Sequence, residues 1–316
     1  MSARRHAVGV DLGGTGIKAG CIEADGGGRE RREVEARVQE GPEAVCKRIA
    51  ALARELGCDG RLGMGVPGLL DRERGLVTHC PNLAPLEGFP LRATLARELG
   101  LQEADVRLEN DANVAALGEH WLGGAAGEPN VLVVTLGTGI GGGLILGGRL
   151  YSGPGGLAAE VGHLCVEPAG PRCGCGNRGC LETLASATAA TRRAAEAGLE
   201  PELARLSETA RAGEGPAREL LEAVGRDLGR GLAQAVMLLD LEVFLVGGGF
   251  GAALDVLRPG ILDGLVERTY GRAREAFRVL PATLGADAGW IGAARLALEE
   301  TELAFDESEL RPDAGE

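Results

Sequence analysis

The sequence predicts an α/β protein of two domains built on a duplicated core, and two observations carry that prediction. The apolar runs A-V-G-V-D-L at 7–12 and V-L-V-V-T-L at 131–136 break into near-identical turns. Those turns, Gly14-Thr15-Gly16-Ile17 and Gly137-Thr138-Gly139-Ile140, each resume as a second strand. Between and after these units, short apolar runs alternate with stretches of helical periodicity, the pattern of sheets covered by helices. A chain of 316 residues is long enough for two such domains.

In chain order, residues 7–12 and 18–23 form a strand, glycine turn, strand unit. Residues 43–56 have helical spacing, 62–66 read as a strand ended by Pro67-Gly68, and Pro81-Asn82-Leu83 opens a polar loop. A helix over 91–99 precedes a strand at 106–109, which runs into Glu109-Asn110-Asp111-Ala112-Asn113 and a helix over 112–122. The second strand–glycine–strand unit spans 131–146. A strand at 243–246 then meets Gly247-Gly248-Gly249 and a helical pattern. Residues 184–238 are alanine-rich and helical, interrupted near 213–216. A last amphipathic helix covers 288–304, and 305–316 reads as a frayed acidic tail. The expected division is 1–118, joined by helix 288–304, and 119–287.

Composition excludes several classes. The formal charge of −13 argues against a nucleic-acid surface, which needs clustered Lys and Arg. The chain reaches its first strand without the apolar region of a signal peptide, and no run of 18 apolar residues occurs. The expectation is a soluble, cytoplasmic protein without a membrane partner. Eight cysteines are too few and too irregular for a disulfide framework. Cys21, Cys46, Cys58, Cys80 and Cys165 read as buried or half-buried thiols.

The glycine turns carry the first chemistry. Asp11, Gly13, Gly14, Thr15 and Lys18 in one turn, and Thr138 and Gly139 in the other, offer bare backbone N–H groups to phosphate. Gly247-Gly248-Gly249 before a helix start is a third such element. Together they point to a polyphosphate or nucleotide, with Asp11 suited to a Mg²⁺-linked role. Asp111, at the carboxyl end of a strand, has the placement of a general base, yet Asn110 or Asp111 could equally cap the helix that follows.

The segment 160–182, E-V-G-H-L-C-V-E-P-A-G-P-R-C-G-C-G-N-R-G-C-L-E, holds His163, Cys173, Cys175 and Cys180. A Cys₃His set suits tetrahedral Zn²⁺, and four ligands leave no open position, so the metal is structural. Glycines at 174, 176 and 179 would let the loop fold tightly around it. Reduced cysteines in a glycine-rich turn are the plainer alternative. Glu160 and Glu182 flank the loop, and two carboxylates with an imidazole and an asparagine match the hydroxyls of a sugar.

D-L-G-G-T at 11–15, E-N-D-A-N at 109–113, L-G-T-G-I-G-G-G at 136–143, E-V-G-H at 160–163 and C-G-C-G-N-R-G-C-L-E at 173–182 together resemble the ROK family of sugar kinases and sugar-responsive repressors. The resemblance implies an actin-like (ribonuclease-H-like) ATPase fold of two α/β domains with the active site in the cleft between them. It implies Asp111 as catalytic base; Asn110, Glu160, His163, Glu182 and, beside them, Gly68 as sugar ligands; and the zinc set named above. The expected activity is ATP-dependent phosphorylation of glucose at its 6-hydroxyl. Another hexose or N-acetylhexosamine as acceptor, or polyphosphate as donor, are the alternatives inside the family. A sugar-responsive regulator is the alternative from another class; such repressors carry an added N-terminal helix-turn-helix, whereas here the first hairpin starts within ten residues of Met1. A homodimer or homotetramer is the expected assembly.

Overall fold

Each apolar run that ends in a glycine turn heads its own five-stranded sheet, and the two sheets repeat one topology. The computed structural model describes residues 6–213 and 215–299. These divide into two compact units, one made of the residues up to Val114 and from Gly289 onward, the other of Ala115–Ala288.

In the first unit, β1 (His6–Leu12), β2 (Gly16–Glu23) and β3 (Glu30–Glu35) form an antiparallel meander. The helix α1 (Pro42–Glu55) leads to β4 (Leu62–Val66), which pairs in parallel with β1. A small separate hairpin, β5 (Leu69–Asp71) and β6 (Leu76–His79), follows. Next come α2 (Leu91–Leu99) and β7 (Val106–Asn110), parallel to β4, so the sheet order is β3-β2-β1-β4-β7. The core gathers Val8, Val10 and Leu12 from β1 with Ile49 and Leu52 of α1 and Leu95 of α2. The helix α1 begins with Pro42 at its first turn, where a missing N–H costs nothing, and buries Val45, Cys46, Ile49, Ala50 and Ala53 at helical spacing. The helix α3 (Asp111–Leu122) starts directly at the end of β7.

In the second unit, β8 (Val131–Leu136), β9 (Ile140–Leu146) and β10 (Arg149–Tyr151) make the same antiparallel meander. The alanine-rich region resolves into α4 (Glu182–Ala185), α5 (Ala187–Glu196), α6 (Leu203–Ala212) and α7 (Pro216–Leu239). After it come β11 (Val243–Gly247), α8 (Leu254–Arg268) and β12 (Arg278–Pro281), giving the order β10-β9-β8-β11-β12 with β11 parallel to both β8 and β12. Gly225 and Gly229 of α7 meet the backbone of α8, while Gly260 and Gly264 of α8 meet that of α7. Four small residues thus let the two helices touch backbone to backbone.

The last helix, α9 (Ala288–Leu298), from Gly289 on belongs to the first unit. Its seat is a line of glycines. Gly20, Gly9 and Gly63 are register partners across β2, β1 and β4, and a Cβ at any of them would collide with Trp290, Ala293 or Ala294 of α9. The remainder of the predicted helix 288–304 and the predicted tail 305–316 lie outside the described residues. Among the described residues, no helix is long and apolar enough to cross a membrane.

Candidate functional site

In the first unit the turn between β1 and β2 is closed by Gly13 N–H donating to the Gly16 carbonyl at 2.8 Å. The matching turn in the second unit is closed by Gly137 N–H on the Gly139 carbonyl at 3.0 Å. Neither Gly14 nor Gly137 has a left-handed φ, and a Cβ on either would meet nothing within 4 Å. The fold therefore does not itself demand glycine at either position.

Asp11, at the end of β1, faces Lys18 across the sheet. Its carboxylate lies over the first turn of α9, where a Cβ on Gly289 would stand 2.6 Å from it. The Asp11 pKa is pushed up to about 6, first by burial and next by the charge of Asp111, with Lys18 pulling the other way. Asp111 is itself raised, mainly by burial, against hydrogen bonds to its carboxylate from Ala112 N–H, its own N–H and the Asn110 side chain. Two carboxylates that the sequence separates by a hundred positions therefore share one electrostatic environment.

At the head of α3 the capping role falls to Asn110. Its Oδ1 accepts from the N–H groups of Ala112 (2.8 Å) and Asn113 (3.2 Å), which makes it the N-cap, and its Nδ2 donates to the Gly68 carbonyl at 3.1 Å. Asp111 also accepts from Ala112 N–H, at 2.9 Å, but as the first residue of the helix. Gly68 is held at φ +93 with its α-carbon against His79 and Cys80, so its glycine is required by backbone geometry.

Sequence reasoning gave Glu109 no role beyond membership of the E-N-D-A-N motif. Its buried carboxylate accepts from Asn110 N–H (2.8 Å) and Asn113 Nδ2 (3.0 Å), and pairs with Arg72 after β5 at 3.1 Å. Arg92 of α2 in turn donates to the carbonyls of Arg72 and Glu73. Glu109 and the β5–β6 hairpin thus brace the segment that carries Asn110 and Asp111. A charged residue next to the end of a short strand was the available signal.

In the second unit the segment 159–163 lies against β9. A Cβ on Gly142 would collide with the Ala159 carbonyl and stand 2.9 Å from Val161, and one on Gly162 would collide with Ile140. Ala159 takes a left-handed φ of 65°, a strained conformation for alanine placed directly before Glu160.

His163, Cys173, Cys175 and Cys180 come together, with ligand atoms all within 4.8 Å of one another. The Cys175 and Cys180 sulfurs are 3.6 Å apart, and Cys173 Sγ is 3.6 Å from His163 Nδ1. A tetrahedron with metal–sulfur bonds of about 2.3 Å has edges of about 3.8 Å, so the donor set fits Zn²⁺ in type and spacing. Of the three glycines expected to shape the loop, Gly176 and Gly179 have left-handed φ, and Gly179 is pressed on Glu167. Gly174 has neither constraint, a correction to the expectation. Cys165, expected to be at least half-buried, is exposed, because it lies on the outer face of a short ribbon whose other face, Leu164 and Val166, packs on the core.

Glu182 links this loop to the second glycine turn. Its Oε1 accepts from Cys173 Sγ at 2.9 Å and lies 3.7 Å from His163 Nδ1, while its Oε2 is what a Cβ on Gly139 would meet at 2.7 Å. Thr188 Oγ1 donates to the Thr138 carbonyl (2.8 Å) and Ala187 N–H to that of Gly137 (2.9 Å), fastening α5 to the turn. In the third glycine element, Gly248 (φ +80) packs on Leu136 and Gly247 on Ala282, so both are needed by the fold. Only Gly249 is bare in the sense of Gly14.

The sequence profile of the ROK family matches residues 7–300. A glucokinase of Thermotoga maritima is 37% identical over 312 residues, covering 92% of this chain and 97% of its own. The crystal structure of a ROK hexokinase from Thermus thermophilus superposes with a TM-score of 0.80 at 39% identity, over 92% of this chain and 97% of that one. A ROK glucokinase from Streptomyces griseus, solved with glucose and AMPPNP, gives 0.75 at 35% identity, over 92% and 99%.

Proposed function

Because the chain belongs to the ROK family, we infer that it is an ATP-dependent sugar kinase, a glucokinase that transfers the γ-phosphoryl group of ATP to the 6-hydroxyl of glucose. The observation that carries this reading is the head of α3. There Asp111 sits behind an independent cap, with its pKa raised and in electrostatic contact with Asp11 of the phosphate-binding turn.

Asp111 accepts the proton of the attacking hydroxyl; a raised pKa brings its proton affinity closer to the working pH, where a general base is most effective. Asn110 spends Oδ1 on the cap and one Nδ2 hydrogen on Gly68, and its amide also bonds the Asp111 carboxylate, so it binds the sugar beside the base that it helps to orient. Glu160, His163 and Glu182 bind further sugar hydroxyls. The turns at Gly13–Thr15 and Gly137–Gly139 receive phosphates, as does the bare backbone at Gly249, while Lys18 offers a positive charge beside the first turn. Asp11 is the residue suited to hold a magnesium-bound water, and Mg²⁺ when bound would neutralise charge on the transferring group. His163, Cys173, Cys175 and Cys180 would hold Zn²⁺, which as a closed four-ligand site supplies structure to the loop. His163 would be fixed as a ligand, and Glu182 follows two residues after the ligand Cys180, so the metal loop sets the sugar ligands in place.

A coupled assay of the purified protein with glucose, N-acetylmannosamine, N-acetylglucosamine and fructose, each with Mg-ATP and with polyphosphate, tests this reading. Glucose with ATP is expected to give the highest kcat/KM. Sugar binding without turnover for every pair would refute the kinase assignment and restore the sensor.

A further inference from the structure

We propose that Cys165 and Cys180 are a disulfide-forming pair, through which oxidation by a peroxide releases the metal of the 160–182 loop. Val166 N–H donates to the Gly179 carbonyl at 2.8 Å, and Leu181 N–H to the Leu164 carbonyl at 2.9 Å. These two bonds bracket Cys165 and Cys180 as directly opposed residues of an antiparallel bridge, in the position that exchanges no hydrogen bonds of its own. Opposed residues of that kind have α-carbons about 4.5 Å apart and side chains on the same face of the ribbon. That lies within the span of a disulfide, about 4.4–6.8 Å between α-carbons.

Side-chain alternation gives the same result. Leu164 and Val166 pack on the hydrophobic core, so Cys165 between them points to the other face of the ribbon, the face on which Cys180 opposes it. Cys180 is buried with its sulfur 3.6 Å from that of Cys175, whereas Cys165 is exposed and outside the four-ligand cluster. The loop therefore sets a solvent-accessible thiol across from a ligand thiolate.

The chemistry balances with one peroxide. The Cys165 thiolate attacks a peroxide oxygen, the O–O bond breaks, and a sulfenic acid forms as hydroxide leaves. The Cys180 thiolate then attacks the sulfenic sulfur, an S–S bond forms, the S–O bond breaks, and the oxygen departs as water after taking a proton. Two thiols lose two electrons and the peroxide gains them. Cys180 is thereby withdrawn from the ligand set, and three donors remain. Glu182, two residues further on, loses the fixed loop that holds it against Gly139.

The test uses the full-length, zinc-loaded protein and hydrogen peroxide, and neither of its readouts depends on kinase activity. Zinc release is followed with a chromogenic chelator, and disulfides are mapped by mass spectrometry of peptides under non-reducing conditions. A Cys165–Cys180 crosslink formed in step with zinc release is expected. Cys165→Ser should abolish that crosslink and slow zinc release by about tenfold. Crosslinks confined to Cys173, Cys175 and Cys180, equal release from the variant, or over-oxidised Cys165 with zinc retained would each overturn the proposal.

Discussion

Replacing Asp11 with asparagine should stabilise the protein at neutral pH while removing its activity. The Asp11 carboxyl rises from 3.8 to about 6 on folding, so the native state binds its proton more tightly than the unfolded chain does. The stabilising contribution is complete below pH 3.8, declines as pH rises, and is lost through about pH 6. Above that, a charged Asp11 costs the native state up to about 3 kcal/mol, the free energy equivalent of the shift. Asparagine keeps the shape without the charge, and the rise to about 6 already includes the opposing attraction of Lys18. The expected gain at pH 8 is therefore up to about 3 kcal/mol, vanishing towards pH 4. Urea unfolding at pH 4.5, 6 and 8 without magnesium or nucleotide measures it, with the fluorescence of Trp290, buried over Gly20, reporting on the first unit. A variant less stable than the parent at pH 8, or a difference independent of pH, would refute the reasoning.

Glu109→Gln leaves Arg72 facing a neutral amide beside a buried strand end, and should cost about 3 kcal/mol in urea unfolding, with a fall in kcat as Asp111 loses its brace. Adding Arg72→Met should recover part of that stability. Gly142→Ala drives a methyl group into the Ala159 carbonyl; about 1–3 kcal/mol of strain and a roughly hundredfold loss in kcat/KM are expected, since Glu160 follows directly. Cys175→Ser should lose zinc and glucose affinity together, measured by metal analysis and calorimetry, and an intact zinc content would count against the four-ligand site.

Much of the fold was legible because its main strands are apolar and end in glycine. Both hairpins, the strands read at 62–66, 106–109 and 243–246, and the helices α1, α2 and α3 follow from periodicity, the second and third strands each running one residue further than read. The strand β3 reads E-R-R-E-V-E and is almost wholly exposed, so as an edge strand it carries charge that blocks further pairing and shows no alternation to detect. The strands β10 and β12, three and four residues long, and the β5–β6 hairpin were too short to give a period. Gly9, Gly20 and Gly63 were visible as strand glycines, but only the pairing register places them in one line under α9. For the site, residue type and spacing identified the Cys₃His set. They could not assign the cap to Asn110, find the partners of Glu109, or separate Gly247 and Gly248, which the fold requires, from Gly249, which it does not. Arg72 against Glu109, and Leu136 and Ala282 against Gly248 and Gly247, are far apart in sequence, whereas the cap is local but open to Asn110 and Asp111 alike until their geometry is seen.

The most direct measurement is turnover and glucose binding by Asp111→Asn, whose side chain keeps its size at the head of α3. If Asp111 is the base, kcat with ATP and glucose should fall by about 10³-fold or more, while calorimetric glucose affinity stays within a few-fold of the parent. Turnover close to that of the parent would contradict the assignment, and with it the reading of α3 as the catalytic helix.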